Sequence, residues 1–534
     1  MPRYKHKPLG DKTRHFIIYL IGLTILSSLS ELILCINQSD FSNFMLVLRN
    51  NFLMCGVLSG IAFLFNGVVS RILQALFFIV IVLFLIADAI FLSTLGNCLN
   101  ENNIMIVACT NPAEAIEFCE NFISWKVITC AILTLCVTGY VLWRILRYQR
   151  TNIQGFTLPQ NYSKARRILP YTVYFIFIIG CLSGLKYAIH RQNSLFWNHS
   201  LGGRFLLVNS FKTVPSVRDN LTNATFIYED EILPDNIVIV IGESFNKHHS
   251  SLYGYEKETS PKLTRRVSDS TLYVYQNVTS PSTGTQDSFK YFMTECSPPD
   301  NNGWYKSLSI MEMFHNIGYH LFWISNQCEF GPHDTVVSRF SELADTVFFA
   351  NRFGTFEQAP DGVLLPVIND MGSNGTKKDM VICHLMGSHF TYDKRYTPEF
   401  AIYKASDYPQ YPERQRETRA KYDNTIVYND AVVDSIIQIY SKSDAVLFYF
   451  SDHGYDVFDT SPAYIGHGRP NEPQSREVGV EIPFMVYVSH SYQERNPSIT
   501  QALKDRATKP LNTSDFIFML RDIFHIQRTD GEQE

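Results

Sequence analysis

Two short segments carry side chains that can do chemistry. Ile237–Ile241 is a β-branched, apolar run that leads directly into Gly242-Glu243-Ser244, and Ala445–Phe450 leads in the same way into Ser451-Asp452-His453-Gly454. Either segment alone reads as a strand followed by a cap or turn. Together they place two carboxylates and an imidazole at strand ends, a mixed hard and borderline donor set that suits Zn²⁺ or Mn²⁺. The segment Ser280-Pro281-Ser282-Thr283-Gly284-Thr285 supplies hydroxyls in a loop, and Thr283 and Thr285 are both open as nucleophiles on chemistry alone. A hydroxyl is weak at its free pKa, and coordination to a metal activates it without a neighbouring base. The same metal offsets charge on phosphoryl oxygens. His389, in Met386-Gly387-Ser388-His389, and His467, in Gly466-His467-Gly468, can bind a phosphate oxygen, hold a second metal or pass a proton to a leaving group.

The elements that must position these groups alternate between strand and helix. Ile237–Ile241, Leu272–Tyr275, His320–Ile324, Met380–His384, Ala445–Phe450 and Phe484–Val488 read as strands, and Tyr422–Tyr440 as a helix. This alternation predicts an α/β domain with a central, mainly parallel sheet. In such a sheet, functional groups gather beyond the C-terminal strand ends, where Glu243 and Asp452 fall.

Composition shows that this domain is only part of the chain. The 534 residues are 46% hydrophobic, 14% aromatic and 18% charged, with a formal net charge of −5. The low charge and high aromatic content exclude a disordered chain, and the mild acidity excludes nucleic-acid binding that rests on overall positive charge. The mean hydropathy of −0.04 averages two unlike halves. Five apolar runs, Phe16–Leu34, Phe52–Val69, Ile72–Leu95, Val127–Trp143 and Tyr171–Leu185, are near the roughly 20 residues needed to cross about 30 Å of hydrocarbon. Nothing comparable follows His190.

The N-terminal tail carries Arg3, Lys5, Lys7, Lys12 and Arg14, and the fourth loop carries Arg144, Arg147, Arg150, Lys164, Arg166 and Arg167. The third loop, about 96–122, has no Lys or Arg. The positive-inside rule therefore puts the N-terminus in the cytoplasm and, after five crossings, the α/β part outside it. The first run is long and lacks a clear cleavage site, so it reads as a retained anchor. Of eleven Cys, only Cys296, Cys328 and Cys383 follow residue 190, too few for a disulfide-stapled domain. The expected division is 1–189 as a transmembrane domain, 190–230 as a connector, either a plain linker or a segment on the membrane surface, and 231–534 as the catalytic domain, with a polar tail from Arg528.

The run from Asn236 to Ser244, with Ser251-Leu-Tyr-Gly-Tyr255, Thr259-Ser-Pro261, Thr283-Gly-Thr285, His384-Leu-Met-Gly-Ser-His389, Lys394-Arg-Tyr396, Asn424-Thr425, Ser451-Asp-His-Gly454 and His467, resembles the bacterial phosphoethanolamine transferases. These lipid A-modifying and colistin (polymyxin)-resistance enzymes belong to the sulfatase-like branch of the alkaline phosphatase superfamily. The resemblance spans about 236–490, and the five-helix anchor is similar too. It implies one tightly bound zinc held by Glu243, Thr285, Asp452 and His453, with Thr285 as nucleophile and His389 and His467 around the phosphate; a second metal, or Mn²⁺, is the alternative. It also implies substrate contacts at Asn326, with Lys394 and Thr283 as further candidates. The implied reaction transfers phosphoethanolamine from phosphatidylethanolamine, through a phosphoethanolamine-threonine, to lipid A, the lipopolysaccharide core or another envelope glycan, releasing diacylglycerol. The implied setting is a bacterial inner membrane, crossed several times, with a periplasmic catalytic domain in a chain that works as a monomer among membrane lipids.

One departure bears on the acceptor. Positions that bracket the nucleophile loop with a disulfide in lipid A enzymes are Pro281 and Tyr291 here. The alternatives are a phosphoglycerol transferase of the same superfamily and a non-enzymatic membrane sensor with a degenerate ectodomain. A sulfatase activity is disfavoured, because no Cys-x-Pro-x-Arg or Ser-x-Pro-x-Arg sequence is present for making formylglycine.

Overall fold

The computed structural model describes residues 10–38, 41, 44–95, 98, 164–191, 224–298, 303–328, 336–351, 359–372, 378–462, 464–468 and 472–529, and isolated positions between 116 and 143. The chain divides into two compact units.

In the first unit, four continuous apolar helices lie among the described residues: α1 (Gly10–Gln38), α2 (Phe44–Leu64), α3 (Gly67–Leu95) and α4 (Lys164–Arg191). Three contain segments long and apolar enough to cross a membrane, Thr13–Ile36, Phe44–Leu64 and Gly67–Leu92, and α4 holds the shorter apolar stretch Tyr171–Tyr187. The expected five-helix count is therefore not matched among the described residues. Most of the expected span Val127–Trp143 and the fourth loop up to residue 163 lie outside them, while Lys164, Arg166 and Arg167 fall in the first turn of α4.

The second expected span also has different ends. The expected span is Phe52–Val69, but α2 begins at Phe44 and carries Arg49, Asn50 and Asn51 within it. The helix pack accommodates these polar groups: Asn50 and Asn51 are fully buried, and Asn51 Nδ2 donates to Ser27 O (2.9 Å) and Ser28 Oγ (3.0 Å) on α1. Gly67, at φ +64°, then breaks the apolar run that sequence reading joined. Small residues bring α2 against α4, since a Cβ on Gly56 would lie 2.7 Å from Cys181 Sγ and one on Gly60 2.5 Å from Ile178 Cγ1. Close backbone approach of this kind gives packing attraction where lipid offers no hydrophobic gain.

The second unit is built on a seven-stranded sheet: β1 (Asn236–Gly242), β2 (Leu272–Tyr275), β3 (His320–Cys328), β4 (Thr346–Asn351), β5 (Asp379–His384), β6 (Ala445–Ser451) and β7 (Phe484–Val488). The spatial order is β2-β7-β6-β1-β5-β3-β4. All neighbours pair in parallel except β7, which is antiparallel to both β6 and β2. The sheet is thus mainly parallel, as expected, with one reversed strand. Sequence reading missed β4, a short edge strand that is partly exposed along most of its length and so lacks a fully buried β-branched run. The central strands β1, β5 and β6 are buried at every position, which explains their near-continuous apolar sequences.

Two hydrophobic clusters cover the two faces of this sheet. One includes Ile237, Ile239 and Ile241, and the other Val238 and Val240, so successive residues of β1 alternate between them. The expected boundary at residue 231 falls late, because Ala224 is already in the core. The polar tail expected from Arg528 starts too early, since Phe226–Ile227 pairs antiparallel with Gln527–Arg528 and Arg528 NH1 binds Glu295 Oε2 at 2.9 Å. Cys383 is a free, buried thiol on β5.

Candidate metal and nucleophile site

The register of the central strands brings the acidic groups together. Gly242 pairs with Ser451 and Ile241 with His384, so the residues that follow β1, β5 and β6 emerge at one edge. Glu243, Asp452 and His453 are all buried there, and one donor atom from each lies within 4.8 Å of the others. His453 Nε2 is 3.2 Å from Glu243 Oε1 and 3.5 Å from Asp452 Oδ2. Thr285, the first residue of helix α5 (Thr285–Phe292), completes the group. Its hydroxyl donates to Glu243 Oε2 at 3.2 Å and lies 3.3 Å from His453 Nε2. The N-terminus of α5 also presents backbone N–H groups without helical acceptors, a favourable place for phosphate charge.

This donor set fits a divalent cation. Asp452 Oδ1 accepts from Ser244 N (3.3 Å) and His453 N (2.8 Å), while its Oδ2 is buried without a hydrogen bond. His453 Nδ1 donates to Gly454 O at 2.8 Å, which leaves the Nε2 lone pair directed at the carboxylates. Such a bond from the distal ring nitrogen is the usual way to orient a ligating histidine. In the metal-free site, burial and the negative charge of Glu243 push the Asp452 carboxyl up. Burial pulls the His453 imidazole down, but Asp452 and Glu243 outweigh that and push it up to about 9. A proton on His453 thus balances the carboxylates when no cation does, and a divalent ion replaces that proton.

Backbone geometry holds Glu243 in place. Ser244 adopts φ +56°, and its hydroxyl donates to Glu243 Oε1 at 2.6 Å. Tyr422, on the long helix α6 (Glu413–Tyr440), donates its hydroxyl to Ser244 O (2.7 Å) and accepts from Asn246 N (2.8 Å). On the other side, Gly387 at φ +55° approaches so closely that a Cβ there would sit 2.7 Å from both Glu243 N and Glu243 O.

His467 faces the same centre, its ring centroid 4.5 Å from that of His453. Its Nδ1 donates to Thr283 O at 2.8 Å, so Thr283 contributes a carbonyl that fixes the His467 tautomer. Burial and the charge on His453 push His467 down to about 4. Gly468 and Gly479 let this segment approach, since a Cβ on Gly479 would lie 2.6 Å from Gly468 Cα and 3.0 Å from Thr283 Cγ2. Burial likewise pushes His389 down to about 3, and its Nδ1 is buried without a protein partner. Both imidazoles are therefore neutral near pH 7 and each offers one donor and one acceptor.

One expected substrate contact turns away from the site. Asn326 is fully buried, and its Nδ2 donates to Ala359 O (2.9 Å) and Asp361 Oδ1 (2.8 Å), leaving no amide hydrogen for a substrate. Asp361 in turn accepts from Met386 N (2.7 Å) and Gly387 N (2.9 Å), so Asn326 acts by holding the loop that presses on Glu243. Lys394 is an exposed residue at the end of the short turn Tyr392–Lys394. Sequence reading missed Asp361, because an Asp before Gly looks like any turn and its partners come from two segments distant in sequence.

The family model for sulfatases matches residues 235–519. The phosphoethanolamine transferase EptC of Escherichia coli is 26% identical over 436 residues, covering 75% of this chain and 71% of that protein. The crystal structure of the C-terminal periplasmic domain of Escherichia coli EptC, in complex with Zn, superposes with a TM-score of 0.52 at 27% identity, covering 59% of this chain and 87% of that one. The integral membrane lipooligosaccharide phosphoethanolamine transferase A of Neisseria meningitidis shares the fold over 96% of both chains, with a TM-score of 0.66 at 16% identity. The family match runs through strands, loops and helices alike over more than half of the residues, and the chain therefore belongs to the sulfatase family.

Proposed function

We propose that this chain is a membrane-embedded, metal-dependent phosphoethanolamine transferase that moves phosphoethanolamine from phosphatidylethanolamine to an envelope glycolipid, lipid A or the lipopolysaccharide core. The observation that carries this reading is the placement of Thr285 Oγ1, which is 3.2 Å from Glu243 Oε2 and 3.3 Å from His453 Nε2 at the start of a helix. Similarity to phosphoethanolamine transferases, rather than to enzymes acting on sulfate esters, supports the choice of headgroup.

Glu243, Asp452, His453 and Thr285 would hold one zinc ion, which would lower the pKa of the Thr285 hydroxyl and offset charge on the phosphoryl oxygens. Thr285 Oγ1 attacks phosphorus, the bond from phosphorus to the glycerol oxygen breaks, and diacylglycerol leaves with a proton. Phosphoethanolamine remains esterified to Thr285. An acceptor oxygen then attacks the same phosphorus, the bond to Thr285 Oγ1 breaks, and the acceptor's proton passes to Thr285 Oγ1, restoring the hydroxyl. His467, with its Nδ1–H held by Thr283 O, presents an unprotonated Nε2 that can take a proton near the reacting centre. His389, neutral and buried, is suited to bind a phosphoryl oxygen. Residues 1–189 anchor the enzyme in the inner membrane with the N-terminus in the cytoplasm, and the α/β unit works in the periplasm where both lipids can reach it.

The test is diacylglycerol release from phosphatidylethanolamine by the full-length protein. Thr285→Ala is expected to lose it and Thr285→Ser to retain a measurable part. Release by Thr285→Ala at the wild-type rate would overturn the nucleophile assignment.

A further inference from the structure

A groove of about 380 Å³ lies in the α/β unit, lined by His248, Tyr253, Gly254, Tyr255, Glu256, Gln410 and Tyr411. It holds none of the residues assigned above, and its volume lies within the range of small-molecule sites. Its aromatic walls are held from behind. Tyr255 donates its hydroxyl to Asp423 Oδ2 at 2.8 Å, and one side of its ring is covered by His249, with centroids 5.0 Å apart and planes inclined by 33°. Arg419 stands 4.2 Å over the Tyr411 ring. Tyr253 is fixed through its hydroxyl, which donates to Phe484 O (3.2 Å) and accepts from Phe484 N (2.9 Å).

The groups behind the rings form one buried charged network. His249 Nδ1 meets Asp423 Oδ1 at 2.5 Å, His249 Nε2 meets Asp459 Oδ1 at 3.2 Å, and Arg419 NH2 donates to Asp459 Oδ1 at 2.9 Å. Asp423 and Asp459 outweigh burial and push His249 up to about 10, so it is cationic. Two cations, His249 and Arg419, are balanced there by two carboxylates, Asp423 and Asp459, so the network presents no net charge to the groove. A neutral ring with apolar C–H faces suits such walls, and the exposed Glu256 carboxylate and Gln410 amide supply acceptors and a donor for hydroxyls.

The groove is linked to the nucleophile loop. His248 Nε2 meets Glu481 Oε2 at 2.5 Å, Glu481 bridges in antiparallel fashion to Thr279, and Ser280 N donates to Val480 O at 2.8 Å. We infer that this groove is a sugar subsite, in which Tyr255 and Tyr411 pack against a hydroxylated ring of the glycolipid acceptor and Glu256 and Gln410 bond its hydroxyls. The inference rests on the transferase reading and adds to it where the acceptor is held.

The experiment uses the full-length protein in detergent, phosphatidylethanolamine as donor and purified lipopolysaccharide as acceptor. Tyr411→Ala and the exposed-site variant Glu256→Gln are expected to raise the KM for lipopolysaccharide about three- to tenfold relative to the KM for phosphatidylethanolamine, and Tyr411→Phe to recover most of the change. Glucosamine at millimolar concentration should compete with lipopolysaccharide in the wild type. An unchanged KM for lipopolysaccharide in both variants overturns the subsite, as does competition by choline in place of glucosamine. A wild-type protein that releases no diacylglycerol and modifies no glycolipid refutes the transferase reading itself, which is a separate outcome.

Discussion

Replacing Gly387 by alanine tests whether the site depends on close backbone packing against Glu243. Gly387 is at φ +55°, and a Cβ there would lie 2.7 Å from Glu243 N, 2.7 Å from Glu243 O and 3.1 Å from Glu243 Cβ. Two of these neighbours are backbone atoms that cannot rotate away. The left-handed φ alone costs an L-residue about 1–3 kcal/mol. Forcing the two backbones apart adds about 1–3 kcal/mol, as for overpacking a filled core. Reaching ordinary contact requires a displacement of roughly 0.5–0.7 Å, and a misplacement approaching 1 Å can reduce a positioned reaction by about 10²-fold.

Gly318→Ala is the control. Gly318 has φ +96° with nothing within 4 Å of the added atom, so it carries the conformational cost without the clash. The full-length variants are compared by thermal unfolding, bound zinc and diacylglycerol release. Gly387→Ala should lose several degrees more than Gly318→Ala, retain less zinc and release diacylglycerol roughly ten- to a hundredfold more slowly. Equal thermal shifts, together with release by Gly387→Ala within twofold of wild type, would refute the argument that Gly387 holds the acid in place.

Two further outcomes follow from the charges. Chelation should lower the unfolding temperature of the wild type and added zinc should restore it, since a ligand at a thousand times its Kd stabilises by about 4 kcal/mol; Asp452→Asn should respond to neither treatment, and a response equal to wild type would remove Asp452 from the ligand set. His249, buried and raised to about 10 by Asp423 and Asp459, predicts a pH effect of definite sign. A histidine raised above its unfolded value of roughly 6.5 contributes stability that is complete below that pH and is lost as pH rises towards 10. Wild-type stability should therefore decline between about pH 7 and 10, by at most ~1.4 kcal/mol per pH unit from this group. His249→Gln should be less stable at pH 7 and lack that part of the decline, and parallel wild-type and variant curves would rule out the His249 charge as the cause.

Local pattern was enough to identify the strands that build the site. β1 and β6 are buried on both faces, so their sequences are nearly continuous apolar runs, and the acid or Asp-His pair at the end of each stands out against them. Segments whose setting is mixed were harder to read. The edge strand β4 is partly exposed, and α2 buries Asn50 and Asn51 inside an apolar bundle, so polarity there no longer marks a boundary.

The sequence by itself determined that apolar helices precede an α/β unit, and that carboxylates, imidazoles and hydroxyls recur in loops after strands. Tertiary structure decided which of them meet. Thr285 and not Thr283 has its hydroxyl at Glu243, while Thr283 gives its carbonyl to His467. Asn326 turns inward to Asp361, and Asp361 supports Gly387 against Glu243. The physical reason is that burial and hydrogen bonding are satisfied across segments far apart in sequence, and a residue's type shows what it can bond to but not which partner the fold brings within reach.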